Sequence, residues 1–233
     1  MTFNKISAPS VREIFVRQIE NKILSGELKP GDKLPPAREL CAIMGVSLTV
    51  VNAGISELAS KGFVEVKPRH GTYVADYIAN GNTETFFSII RYNGGKINAH
   101  EFRSFTESRV ALDALIVELV IKRASDEEIA QLGEILDEVK KPHELHETCT
   151  LITDFYHKMY IISQNSFCAL LYNSTIQPQK GMYEMFIEKN GIQVVIDNME
   201  TVYKCLVERD IENARKYASS GQMSAIEGPY SVI

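Results

Sequence analysis

"GVSLTVVNAGISELASKGFVEV", residues 45–66, reads as a tight turn, an amphipathic helix and the start of a strand. Ser47 is placed to cap a helix that closes at Gly62, and "FVEV" opens an apolar alternation. Between Ser47 and Ser60 this helix contains no Lys or Arg. Just upstream, "PARELCAIMG" (36–45) predicts a shorter helix with Leu40 and Met44 facing in and Gly45 ending it. Helix, tight turn, helix is the helix-turn-helix arrangement.

Outward from this pair, "SVREIFVRQIENKILS" (10–25) places Val11, Ile14, Phe15, Ile19, Ile23 and Leu24 on one stripe, with Ser10 as N-cap and Gly26 as stop. "GELKPGDKLP" (26–35) holds two Gly and two Pro and predicts an extended connection with turns. Downstream, "FVEV" and "TYVADY" flank "KPRHG", a hairpin whose tip carries Lys67, Arg69 and His70, with Gly71 free to adopt a positive φ. Three helices and a basic-tipped hairpin make a winged helix-turn-helix. Its inserted helix is expected to meet base edges of double-stranded DNA, and its wing the phosphates or the minor groove.

The stretch "ILSGELKPGDKLPPARELCAIMGVSLTVVNAGISELASKGFVEVKPRHGTYV" (23–74) resembles the GntR family of bacterial transcription regulators. The resemblance is tight over about residues 8–75 and looser beyond. That family carries "S-R-T-P-V-R-E-A-L" in its recognition helix, where this chain has "SLTVVNAGI". Leu48 and Asn52 therefore stand where the family has arginines, and Gly54 weakens the helix further. Ser47, Thr49, Asn52 as an adenine reader, and the helix N-terminus toward phosphate remain. Arg38, Lys67, Arg69, His70 and Gly71 keep family positions around them. Losing two base-reading arginines costs roughly 1–3 kcal/mol each. The expectation is DNA binding with an altered operator or lower affinity. A winged helix that has lost sequence-specific DNA binding, leaving a helical interaction protein, stays as the alternative.

Charge divides along the same line. Residues 1–75 hold ten Lys and Arg against seven Asp and Glu, and the remainder holds 15 against 23. A mildly basic module on an acidic body fits a nucleic-acid reader carried by something else. No apolar run reaches the roughly 18 residues of a membrane span, and "MTFNKISAPSVREIF" has no signal core, so a cytoplasmic protein without membrane attachment is expected. The four cysteines, Cys41, Cys149, Cys168 and Cys205, form no metal or disulfide pattern and read as reduced thiols.

Beyond Tyr77, a short helix around Thr85–Tyr92 and a break at Gly94-Gly95 suggest a linker over 77–100, between a DNA-binding domain at 1–76 and a helical domain at 101–233. The latter predicts six or seven amphipathic helices, an all-α bundle for effector binding and dimerisation. "ESRVALD", "ASDEEIAQL", "FY…SQN" for the usual "FH…SGN", and "ERDIENARKY" for "x-G-D-x-E-x-A-R" resemble the FadR (FCD) subgroup of that family. The resemblance implies a homodimer on a near-palindromic operator, mostly repressing, with a small-molecule effector in the bundle. Many members hold a metal there through an Asp and a His four apart and two later His. Those positions fall here on Ile152, Tyr156, Met199 and Gly221, so neither metal nor other cofactor is expected. Asp154 and His157, three apart, are the near miss.

Arg109 matches a family arginine facing the bundle interior and is the candidate anion contact; pairing with Asp113 at i,i+4 is the competing reading. Tyr156, His157, Tyr160, Asn198 and Tyr203 complete the effector candidates. "GMYEMF" (181–186) is expected to serve as core or dimer surface. Organic acids and acyl thioesters both stay open as effectors, with sugar acids and dicarboxylates disfavoured by the lost metal. No Ser-His-Asp set, phosphate loop or metal cluster supports an enzyme.

Overall fold

The computed structural model describes residues 9–94 and 97–233, and the chain divides into two compact units, residues 1–96 and 97–233. In the first, α1 (Val11–Leu24) starts on a capping box. Ser10 Oγ accepts from the Glu13 N–H, and the Glu13 carboxylate accepts from the Ser10 N–H at 2.6 Å. Its buried face is Phe15, Val16, Ile19, Glu20 and Ile23. Val11 and Ile14, expected on that face, are 54% and 52% exposed. The stripe is rotated because α1 packs on α3 through Phe15, and no described residue of the first unit covers the first turn.

Helix α2 (Ala37–Met44) ends at Gly45, whose φ of 64° suits a residue without a side chain. Helix α3 (Leu48–Ser60) is capped by Ser47 Oγ and meets α2 at 112°. Gly54 is a packing device rather than a weak point. A Cβ there would lie 2.3 Å from the Phe15 ring, so the glycine lets α1 approach α3.

Strands β1 (Val64–Lys67) and β2 (Gly71–Val74) pair antiparallel, Val64 opposite Val74 and Lys67 opposite Gly71. The 26–35 connection is more than a spacer. Leu34 N–H donates to the Thr72 carbonyl, Gly31 N–H to that of Val74, and Val74 N–H back to Asp32. It therefore lines the free edge of β2. At the tip, His70 N–H closes on the Lys67 carbonyl at 3.0 Å, with Pro68 second and Arg69, φ 64°, third. That is the pattern of a type II turn, whose third place usually falls to Gly or Asn.

The stretch expected to be a linker is not free-standing. Helices α4 (Tyr77–Asn80) and α5 (Thr83–Tyr92) pack within the first unit, and the boundary falls between residues 96 and 97. Thr85 Oγ1 donates to the Lys61 carbonyl, Asn82 to that of Ser60, and Ser88 Oγ to the buried Glu20 carboxylate, which also pairs with Lys61 at 3.0 Å. Of the expected Gly94-Gly95 break, Gly94 has φ 72° and Gly95 lies outside the described residues.

The second unit is a bundle of seven helices among the described residues: α6 (Ala99–Arg123), α7 (Asp126–Val139), α8 (Leu145–Ile162), α9 (Ser166–Ser174), α10 (Ile176–Asn190), α11 (Ile192–Val207) and α12 (Ile211–Met223). Helix α6 packs chiefly on α12, and α7 on α8. Ile116, Val120, Leu132, Ile152, Phe155, Met159, Met199 and Leu206 fill the centre. Two residues outside glycine adopt left-handed backbone here, Gln164 (φ 55°) and Arg209 (φ 57°), both where the resembled patterns have Gly. Each directs its side chain to the end of α6. Arg209 Nη1 donates to the Ile121 and Ala124 carbonyls at 2.9 Å, and Gln164 Nε2 to that of Arg123. These carbonyls lack partners within the helix, so the two side chains satisfy them where glycine would leave them to water. No single helix among the described residues is long and apolar enough to cross a membrane.

Candidate functional site

Two surfaces carry chemistry, one in each unit. In the first, burial of Val51, Gly54 and Leu58 forces Leu48, Thr49, Asn52 and Ser56 outward along α3, next to the capping Ser47. Arg38 on α2 is exposed and makes no ion pair among the described residues. The hairpin gathers Lys67, Arg69, His70 and Gly71 at the wing, with Lys67 3.3 Å from Glu65 and 5.2 Å above the Tyr73 ring. Lys33, which sequence reasoning passed over, joins them on the same ring at 5.7 Å. Only the pairing of the 26–35 connection with β2 brings it there.

The second unit holds a half-open cavity of about 240 Å³. Arg109 lines it and pairs with the buried Asp113, one turn on along α6 and behind the wall. Arg109 Nη2 lies 2.8 Å from Asp113 Oδ2, and Nε donates to both oxygens. Arg109 Nη1 donates to Gln179 Oε1, and the guanidinium lies 5.1 Å and 5.4 Å from the ring centres of Tyr156 and Tyr172. Asp113 also accepts from Tyr160 OH at 2.7 Å and Gln222 Nε2 at 2.9 Å. Arg109 thus pairs with Asp113 and also lines the cavity.

Burial opposes the Arg109 charge, but the Asp113 carboxylate and surrounding phenols outweigh it and hold the guanidinium well above its ordinary pKa. Burial likewise raises Tyr156, Tyr160, Tyr172 and Tyr183, so these phenols are neutral donors. One hydroxyl on the wall, Thr106 Oγ1, is buried and has no hydrogen-bond partner among the described residues, while Tyr183 OH lies against Arg109 and Gln222. Thr106 is 1% exposed. An unpartnered donor beside a fixed guanidinium is what a small polar head group would satisfy.

Of the effector candidates, Arg109, Tyr156 and Asn198 meet on this cavity. Tyr160 stands one step behind it, orienting Asp113. His157 is half-buried and stacks on Tyr172 at 5.8 Å, and Tyr203 faces a separate surface depression against Gly133. Tyr203 follows Asn198 by five residues, about 140° around the helix, so the two cannot share a wall. "GMYEMF", expected in the core or at a dimer surface, puts Phe186 in the core and also supplies Met182, Tyr183 and Phe186 to the cavity. Thr106, Gln179 and Gln222 were also missed, each lying on a face that no sequence pattern marks.

The donor set does not fit a metal. Ile152 and Met199 are fully buried in apolar packing, Tyr156 is a neutral phenol, and a side chain at Gly221 would collide with the Asn198 amide. Asp154 is exposed while His157 turns to Tyr172. Among the described residues no three His, Cys, Asp or Glu side chains cluster as ligands. Cys149, Cys168 and Cys205 are buried and Cys41 half-buried; burial pushes the Cys149 thiol up to about 12.

Comparison with known proteins follows the same division. Residues 9–74 match the family described as bacterial regulatory proteins, gntR family, and residues 104–220, half of the chain, match the FCD domain. The HTH-type transcriptional regulator Mce2R of Mycobacterium tuberculosis is 29% identical over 132 residues, 57% of this chain and 54% of its own length. LutR of Bacillus subtilis, another HTH-type transcriptional regulator, is 23% identical over 194 residues, 79% of this chain and 85% of its own. The chain thus spans about half the length of Mce2R and most of LutR. The solved structure of Lar, which controls the expression of the Listeria monocytogenes agr system, matches with a TM-score of 0.57 at 17% identity. That match covers 94% of this chain and 95% of Lar, and it speaks for the fold. With a winged helix in one unit and a cavity-bearing helical bundle in the other, the chain belongs to the gntR family of bacterial regulatory proteins, in the group that carries an FCD domain.

Proposed function

We propose that this chain is an effector-responsive, cytoplasmic transcription regulator that binds a near-palindromic operator as a homodimer and represses until a small organic acid enters the bundle. The observation that carries the effector half is the 240 Å³ cavity with its buried guanidinium and the unpartnered Thr106 hydroxyl. It is about half as large again as the ~150 Å³ cavity that admits benzene, which suits a ligand of roughly ten non-hydrogen atoms. A long acyl thioester would leave most of its length outside the half-open mouth. Because Asp113 already matches the Arg109 charge, the site offers directed hydrogen bonds more than net positive charge, which favours one carboxylate over two. A ligand that alters repression must bind the DNA-competent and DNA-free arrangements differently.

The DNA half rests on Ser47, Leu48, Thr49 and Asn52 along α3, flanked by Arg38 and by Lys67, Arg69, His70 and Gly71 of the wing. Its test is a titration of the purified chain on the DNA upstream of its own gene at several salt concentrations. Binding should weaken steadily as salt rises, and further in Arg38→Ala and Arg69→Ala. The lack of cations on α3 favours one competing reading, an interaction protein that no longer reads DNA. Salt-insensitive or undetectable attachment would establish that instead.

A further inference from the structure

The outward face of α3 presents no ionisable group from Leu48 to Ser56. Leu48, Asn52 and Ser56 follow at i, i+4 and i+8 and form one stripe, with Thr49 beside it. Leu48 is 45% exposed, and the burial of Val51, Gly54 and Leu58 fixes which side faces out. In a major groove, guanine is read best by a charged bidentate donor, adenine by a carboxamide, and the thymine 5-methyl by an apolar side chain. Helix α3 offers the second and third in adjacent turns and lacks the first.

Resting on the DNA-binding reading above, we infer that α3 selects A·T pairs, with the Asn52 amide on an adenine edge and the Leu48 side chain against a thymine methyl. Leu48 is then a specificity determinant in its own right. The flanking cations Arg38, Lys67 and Arg69 hold phosphates and carry little sequence information. Removing one buried methyl weakens binding about fourfold.

The test starts from duplexes selected by the full chain from a random pool. Each thymine of a selected half-site is replaced in turn by deoxyuridine, which removes only the 5-methyl, and affinity is read by fluorescence anisotropy. One replacement should weaken wild-type binding about fourfold while Leu48→Ala, an exposed substitution, binds parent and replaced duplex alike. Asn52→Ala should lose its preference for the neighbouring A·T pair. Half-sites centred on selected G·C pairs, or equal binding at every replaced thymine, overturn the inference while leaving DNA binding intact. A pool that shows no enrichment overturns both.

Discussion

Arg109 and Asp113 form a buried ion pair one helical turn apart, 2.8 Å at its shortest, with Arg109 in the wall of the cavity and Asp113 behind it. Each charge is tolerable only because of the other, so removing one partner is costlier than removing both. Asp113→Asn should destabilise the 97–233 unit by about 3 kcal/mol. Arg109→Met with Asp113→Leu should lie much nearer wild type. Urea denaturation of the full chain and both variants measures this; equal losses would show that the pair is not held by mutual compensation.

Thr106→Val probes the unpartnered hydroxyl. An unsatisfied buried hydroxyl costs stability, so the isosteric valine should raise it by about 1 kcal/mol. The same change should weaken binding of any small acid that stabilises the wild-type chain in a thermal shift. A destabilised variant would mean that Thr106 Oγ1 already has a partner.

Gly54→Ala reverses the usual helix preference. Alanine is favoured by about 1 kcal/mol in an exposed helix, yet here its methyl meets the Phe15 ring at 2.3 Å. We expect a net loss of about 1–3 kcal/mol, largely recovered by adding Phe15→Leu. The thermal midpoints of the single and double variants decide it.

Arg69 bears a left-handed backbone at the tip of the wing. Replacing it with glycine relieves about 1–2 kcal/mol of conformational cost. Arg69→Gly should therefore melt higher and bind operator DNA less tightly, with a shallower salt dependence. Calorimetry and a salt-titrated binding curve on one preparation measure the two effects.

Acid should loosen both units. The Ser10 backbone N–H holds the Glu13 carboxyl below its ordinary value of 4.5, and the Asn213 amide holds Asp210 below 3.8. Because their folded-state values are lowered, the stabilisation is complete above the ordinary values and is lost as pH falls through the folded ones. Urea midpoints should thus drop below about pH 4.5, and less in high salt, since both groups are exposed. A flat profile from pH 6 to pH 3 would contradict the assignment.

Much of this architecture was legible before any coordinates. Ser10, Ser47 and Ser125 cap the helices that they announce, Gly45 turns the corner between α2 and α3, and "KPRHG" closes the hairpin. Local chemistry sufficed there. What escaped depends on tertiary contact: the tilt of α1 that exposes Val11, the approach that makes Gly54 necessary, and the alignment of 26–35 along β2. In the cavity, Arg109 was marked by its match to a family arginine, and Tyr156 and Asn198 share its wall. Met182 and Phe186 look like ordinary core residues in sequence, and only the missing neighbours on one side distinguish them. Asn198 and Tyr203 were grouped by proximity along the chain, although helix geometry sends them to different sides.

Gln164 and Arg209 grip the carbonyl end of α6, while Thr106 and Arg109 on the same helix face the cavity. The other end of the helix is tied as well, Arg103 donating to the Ile226 carbonyl. A helix anchored at both ends offers an entering molecule a wall already in place.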